Sequence, residues 1–234
     1  MMIYKETLTF LKNLKTHNDR VWFQDNKDKY NNAQKNVESF VQKVISEIHE
    51  FDKDIPPHLE AKKCMFRIYR DARFSLDKTP YKSWFGAAIG REGRKTPGPI
   101  YYYHLEPNKS FIGLGYWRPD KDHLKMIREE IDYNVETFKG ILHSTIEKGW
   151  SDLDNSDKLK KAPKPYDAEH PGIEYLKNKS FILTIDLSDE KVLSENFLDF
   201  IVQKFKEGQE FTDFLKDALV GEADFTEGDL GNIF

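Results

Sequence analysis

Ile100-Tyr-Tyr-Tyr-His-Leu-Glu106, Pro107-Asn-Lys-Ser110 and Phe111-Ile-Gly-Leu-Gly-Tyr-Trp117 read as strand, turn and strand. Both outer runs are rich in aromatic and β-branched residues, which fit a pleated, half-buried surface. The four residues between them include proline and asparagine, which favour a tight reversal, so the stretch predicts an antiparallel hairpin. Ser83–Ile89 (SWFGAAI) predicts a third strand, joined to the hairpin by the Gly-, Arg- and Pro-rich segment Gly90–Pro99. Phe181–Leu187 (FILTIDL) predicts a buried strand from its apolar, β-branched character.

Outward from this β-rich centre the period changes to that of helices. Leu8, Leu11 and Leu14 open a first helix, and Asn18-Asp19 mark a break and a new N-cap. A long second helix is predicted to follow, because Trp22, Phe23, Tyr30, Val37, Phe40, Val44, Ile45 and Ile48 recur at three and four residues. Its end is expected near Asp52, ahead of Pro56-Pro57, since proline disfavours helix in the residue before it. Leu124, Ile127, Ile131, Phe138 and Ile141 predict helix after Pro119-Asp120, and Ser151–Pro165 a polar surface excursion. Leu193–Leu219 predicts a last amphipathic helical region. The expectation is therefore one α+β domain over 1–234, with a mainly antiparallel sheet packed against a long N-terminal helix and C-terminal helices.

Composition is consistent with a folded globular chain: 234 residues, 38% hydrophobic, 32% charged and 14% aromatic. The single cysteine, Cys64, excludes an intramolecular disulfide and a cysteine-clustered zinc site. The start MMIYKETLTFLKNL has no apolar leader pattern, and no run reaches the ~18–20 apolar residues of a spanning helix. A cytoplasmic protein without a membrane partner is expected.

Charge is unevenly placed. Residues 61–95 hold ten Lys or Arg against three acids, a local +7; because the whole chain is −4, the rest carries −11. From Glu207 onward there are eight acids and one base. A basic centre in an acidic body predicts a local anion-binding face. Its core is Arg67-Ile-Tyr-Arg70-Asp71-Ala-Arg73-Phe74-Ser-Leu-Asp77-Lys78-Thr-Pro-Tyr81-Lys82.

That run, with the pattern R-x-x-R-D-x-R-F-x-x-D-K-x-x-Y, resembles the hallmark of domain of unknown function 2461, an uncharacterised and mostly bacterial family of about this length. The likeness extends to Asn18-Asp-Arg-Val-Trp22-Phe23, to the hairpin, and to Pro165-Tyr166-Asp167 with His170-Pro171 before Leu176–Phe181. The family has no assigned activity, so the resemblance implies next to nothing about function.

The candidate ligand-binding residues are Arg67, Arg70, Asp71, Arg73, Asp77, Lys78, Tyr81 and Lys82. Guanidinium groups are rigid forks of donors suited to phosphate or carboxylate. Spaced by three, Arg67, Arg70 and Arg73 share a face if the segment is helical, whereas in a strand Arg67 and Arg70 diverge; both conformations stay open. Three functions stay open with them. The leading one is binding of a phosphorylated or carboxylated small molecule, with hydrolase or transferase chemistry as an extension. The second is a non-enzymatic interaction or scaffold protein whose arginines form an internal salt-bridge network. The third is nucleic-acid binding by the same basic segment.

Other constellations carry less. Gly90–Gly98 lacks the G-x-x-x-x-G-K-[ST] order of a phosphate loop and reads as a flexible, exposed connection, with a lid over the arginines as its functional version. The seven histidines show no H-E-x-x-H or H-x-H spacing, so no metal site and no cofactor is nominated. His104 and His170 read as satisfied polar groups, and Cys64 has no nucleophile motif. Tyr101, Tyr102, Tyr103 and Trp117 could stack a base or sugar, but such residues in hairpins more often supply packing.

Overall fold

In a computed structural model, which describes residues 2–71, 73 and 75–220, the chain has an α+β fold. In chain order its main elements are α1 (Lys5–Thr16), α2 (Arg20–Asp25), α3 (Lys27–Phe51), α4 (Ala61–Cys64), β1 (Phe85–Ile89), β2 (Ile100–Leu105) and β3 (Ser110–Tyr116). There follow α5 (Lys121–Tyr133), α6 (Val135–Glu147), α7 (Ile173–Leu176), β4 (Phe181–Leu187), α8 (Asp189–Val192), α9 (Phe197–Glu207) and α10 (Gln209–Asp217). The strands form one four-stranded antiparallel sheet in the order β1-β2-β3-β4. The hairpin is β2–β3, reversed at Glu106–Lys109 with Asn108 at φ 62°, a left-handed conformation that asparagine tolerates better than most residues. β1 pairs with β2 from Phe85↔Leu105 to Ile89↔Tyr101. No helix among the described residues is long and apolar enough to cross a membrane.

Three predicted helical stretches are interrupted. The long second helix is broken at Asn26, whose side-chain amide donates to the Trp22 carbonyl at 2.9 Å and so ends α2 before α3 begins. Asn134, with its amide 2.6 Å from Glu130 Oε1, separates α5 from α6. Gly208, a poor helix former, separates α9 from α10.

The described residues group into two compact units, those within 2–96, 100–114 and 184–207 in the first, and within 97–99, 115–183 and 208–220 in the second. In the first, the apolar stripe of α3 covers one face of the sheet. Tyr101 and Tyr103 project from β2 into this core, Tyr103 near Phe40 of α3 (5.6 Å between ring centroids) and Tyr101 near Phe205 of α9 (5.1 Å). Phe40 also stacks on Phe197 of α9 at 5.3 Å. The end of α3 is fixed by Asp52, buried, whose carboxylate accepts from the Tyr101 hydroxyl at 2.9 Å. Trp22 is half-buried rather than core, because the break at Asn26 takes it off the α3 stripe; its ring lies on Phe10 and His17 instead.

In the second unit Phe138 of α6 packs on Phe211 and Phe214 of α10 and on Tyr175 of α7. Arg128 of α5 donates to the carbonyls of Leu176 and Asn178 at 2.8 and 3.2 Å, closing the end of α7. The excursion 151–165 is pinned by Leu159 N–H to the Lys177 carbonyl at 2.9 Å.

Candidate functional site

The arginine-bearing segment is extended. Tyr69 bridges Tyr81 in antiparallel fashion, Arg70 N–H donates to the Pro80 carbonyl at 2.9 Å, and Lys82 N–H to the Ile68 carbonyl at 2.7 Å. The same arm is joined to β1 by Met65↔Ala87 and by Phe66 N–H to the Gly86 carbonyl at 2.9 Å. Met65, Ile68 and Tyr81 are buried in the arms, and Asp71, Arg73 and residues 75–79 belong to the connection between them. Of the two conformations left open by the spacing, Arg67 and Arg70 adopt the extended one, but a bend at Ile68 interrupts the alternation of a regular strand, and both side chains line one cleft.

Side chains close the loop upon itself. Arg70 Nη1 forms an ion pair with Asp77 and a hydrogen bond with Thr79 Oγ1, while Nη2 reaches Ser75 Oγ at 3.5 Å. The Thr79 N–H donates to Asp77 at 2.9 Å, and this bond, with the Arg70 guanidinium, holds the Asp77 carboxyl down to about 2. Arg73 grips Asp71 as a two-pronged fork, Nε to Oδ1 at 2.9 Å and Nη2 to Oδ2 at 2.6 Å, which lowers the Asp71 pKa.

Arg67, Arg70, Asp71, Arg73 and Lys78 line one open cleft of about 550 Å³, completed by Arg20, Tyr69 and Pro80. Five cationic side chains and one carboxylate therefore line this cleft. Arg70 and Arg73 are ion-paired; Arg20 and Arg67 make no ion pair among the described residues. The other candidates stand outside the lining. Asp77 is bound by Arg70, and Tyr81, 6% exposed, stacks on Phe23 at 3.9 Å between centroids. The Lys82 ammonium lies over the rings of Trp84 (4.7 Å) and Phe66 (5.4 Å). Burial, reinforced by Arg67 and Arg70, lowers its pKa.

Arg20 is the residue that sequence reasoning missed. It opens α2 behind the N-cap Asp19, whose carboxylate accepts from Trp22 N–H at 2.9 Å. One position further back, the Asn18 amide clamps the main chain of Tyr81, donating to its carbonyl at 2.9 Å and accepting from its N–H at 3.1 Å. This two-way bond joins the α1–α2 corner to the arginine arm and sets Arg20 at the cleft. The signal was present as Asn18-Asp19-Arg20, but only its capping content was legible.

The segment after β1 is not a lid. Gly93, at φ 64°, is buried with its backbone so close to the Lys63 carbonyl that a Cβ would meet it at 2.6 Å. Arg94 Nη1 donates to the carbonyls of Lys62, Lys63 and Met65, each at 3.1 Å. These bonds satisfy groups at the end of α4 and tie the connection down. Sequence composition suggested flexibility because glycine and proline mark both mobile loops and tightly packed ones.

His104 and His170 are satisfied polar groups. His104 stacks on Phe111 at 4.7 Å, and its ring nitrogens lie 3.2 Å from the Tyr102 hydroxyl and 3.4 Å from Glu106, which is paired with Lys15 at 2.9 Å. His170 lies between the Asp132 carboxylate at 2.7 Å and the Gly172 N–H at 3.0 Å. Burial pushes the Cys64 thiol up to about 12, so it is no thiolate nucleophile at neutral pH. Tyr101 and Tyr103 are core; Trp117 is 61% exposed, with the Arg118 guanidinium 4.9 Å from its ring. Among the described residues no group of three or more His, Cys, Asp or Glu gathers in a metal-binding arrangement.

No curated protein and no solved structure matches the chain. The family model described as conserved hypothetical protein (DUF2461) matches residues 6–214, nearly the whole chain, and the chain belongs to that family.

Proposed function

We propose that the chain binds a phosphorylated or carboxylated small molecule in the cleft between Arg20 and the arginine arm. The observation that carries this reading is the pair Arg20 and Arg67, two guanidinium groups that line the cleft and make no ion pair among the described residues. A purely structural network would pair its charges, as Arg70–Asp77 and Arg73–Asp71 do. The paired arginines shape the loop, and the unpaired ones supply forked donors to an oxyanion. Asp71 and Asp77, both held below the usual carboxylate range, stay ionised at neutral pH and orient guanidinium groups; as proton acceptors they are poor. The reading therefore ends at binding and assigns no reaction.

The test is a thermal-shift screen at low salt with phosphate, sulfate, pyrophosphate and dicarboxylates, on the wild type and on Arg20→Met and Arg67→Met. An anion that binds only the folded chain stabilises it by about 2.7 kcal/mol at a hundred times its dissociation constant. The wild type responds to at least one anion, and both variants lose that response while keeping their unliganded melting temperature. A wild type indifferent to every anion, or variants that respond as the wild type does, would overturn the proposal.

A further inference from the structure

We infer that the anion this cleft takes carries a planar ring, as a nucleoside monophosphate does, and that Tyr69 is the surface on which the ring stacks. The inference rests on the binding reading above and adds the class of ligand. Three observations support it.

The first is size. A cleft of about 550 Å³ falls within the roughly 300–1,000 Å³ typical of small-molecule sites. A water molecule occupies about 30 Å³ of liquid, so a bare oxyanion fills only a small part of such a space.

The second is the character of Tyr69. Among the described residues it is the one aromatic residue of the lining, and it is 46% exposed. Its position is nevertheless fixed. The backbone is bridged to Tyr81, the ring lies 5.5 Å from that of Tyr81 and meets Phe23 edge-on at 6.1 Å, and the hydroxyl is 3.4 Å from Lys27 Nζ. An aromatic ring held by Phe23, Tyr81 and Lys27 and still half-exposed is a preformed stacking surface, which loses little freedom when a ligand arrives. Guanidinium groups beside it extend the same platform, since their planes stack on bases too.

The third is Asp71. Asp71, whose carboxylate orients Arg73, also lines this cleft, and a simple inorganic anion would meet it as a like charge. A ligand that brings hydroxyl donors together with its negative charge, as a ribose phosphate does, turns that carboxylate from a repulsive neighbour into an acceptor.

Calorimetric titration of the full chain with inorganic phosphate, ribose phosphate and adenosine monophosphate tests the inference, using the wild type, Tyr69→Phe, Tyr69→Ala and Arg67→Met. Stacking of one base on an aromatic side chain is worth roughly 5- to 150-fold in affinity. Adenosine monophosphate therefore binds the wild type and Tyr69→Phe at least about fivefold more tightly than ribose phosphate does. In Tyr69→Ala the two ligands bind alike, with ribose phosphate unchanged from wild type, and Arg67→Met weakens both. If ribose phosphate and adenosine monophosphate bind the wild type equally, or if Tyr69→Ala keeps the preference, the stacking inference is wrong while anion binding stands. If no phosphate compound binds the wild type, anion binding fails and the inference with it. The wild-type and Tyr69→Phe comparisons decide the matter even if Tyr69→Ala does not fold.

Discussion

Asn18 offers a perturbation whose sign separates two explanations. Its amide makes two hydrogen bonds to the main chain of Tyr81, at 2.9 and 3.1 Å, across 63 residues of sequence. Each such bond contributes a net of about 0.5–1.5 kcal/mol, so Asn18→Ala costs about 1–3 kcal/mol. For a chain of this size that lowers the melting temperature by roughly 2–4 °C per kcal/mol. Asn18→Asp is the sharper probe. An aspartate still accepts from the Tyr81 N–H, but it cannot donate to the Tyr81 carbonyl and places a carboxylate oxygen against it. The cost then equals or exceeds that of alanine. Were Asn18 merely a spacer before α2, an added negative charge at a helix N-terminus would stabilise the fold by about 0.3–1 kcal/mol. Calorimetric melting of both variants decides between the two. An Asn18→Asp protein that melts at or above the wild-type temperature would refute the clamp, and with it the account of how Arg20 reaches the cleft.

Phe40 is fully buried between Phe197 and Tyr103, so Phe40→Ala lowers stability by about 3–5 kcal/mol in urea unfolding; an unchanged midpoint would show that α3 does not carry the core. The Asp77 carboxyl, lowered to about 2 in the folded chain from an ordinary 3.8, contributes to loop closure at every pH above that ordinary value. That contribution fades as pH falls through about 2, and NMR titration of the side-chain carboxyl should find its midpoint near there; a midpoint near the ordinary value would mean that the Thr79 and Arg70 bonds do not persist in solution.

Elements whose pattern is local were legible in the sequence. The α3 stripe from Tyr30 to Ile48 is buried as its period requires, and the β2–β3 reversal lies where Pro107-Asn108 provides turn chemistry. The breaks at Asn26, Asn134 and Gly208 were hidden because a one-residue interruption barely disturbs the phase of an apolar stripe; at Asn26 the disturbance is enough to leave Trp22 half-buried. The conformation of the arginine segment could not be read from a spacing of three, because partners distant in sequence decide it: Tyr81 opposite Tyr69, and Ala87 opposite Met65. Arg20 was invisible for the same reason. Nothing in its neighbours says that Asn18 will clamp Tyr81. Charge density did identify the run whose Arg67, Arg70, Asp71, Arg73 and Lys78 share a cleft, but density counts Lys82 and Arg94 equally, and the fold places those on aromatic rings and on helix-end carbonyls.

The two walls of the cleft also differ in when they can form. Contacts from Arg70 to Ser75, Asp77 and Thr79 close loops of five to nine residues, whereas the clamp from Asn18 to Tyr81 closes 63. The entropy of loop closure makes the longer connection dearer by about 1.7–2.2 kcal/mol, so the loop can organise while the Arg20 wall is still absent. A molecule held by both walls needs the longer connection closed; where that closure follows the folding barrier, the molecule slows escape from the native state and leaves the rate of reaching it unchanged, giving the chain a longer native lifetime without faster folding.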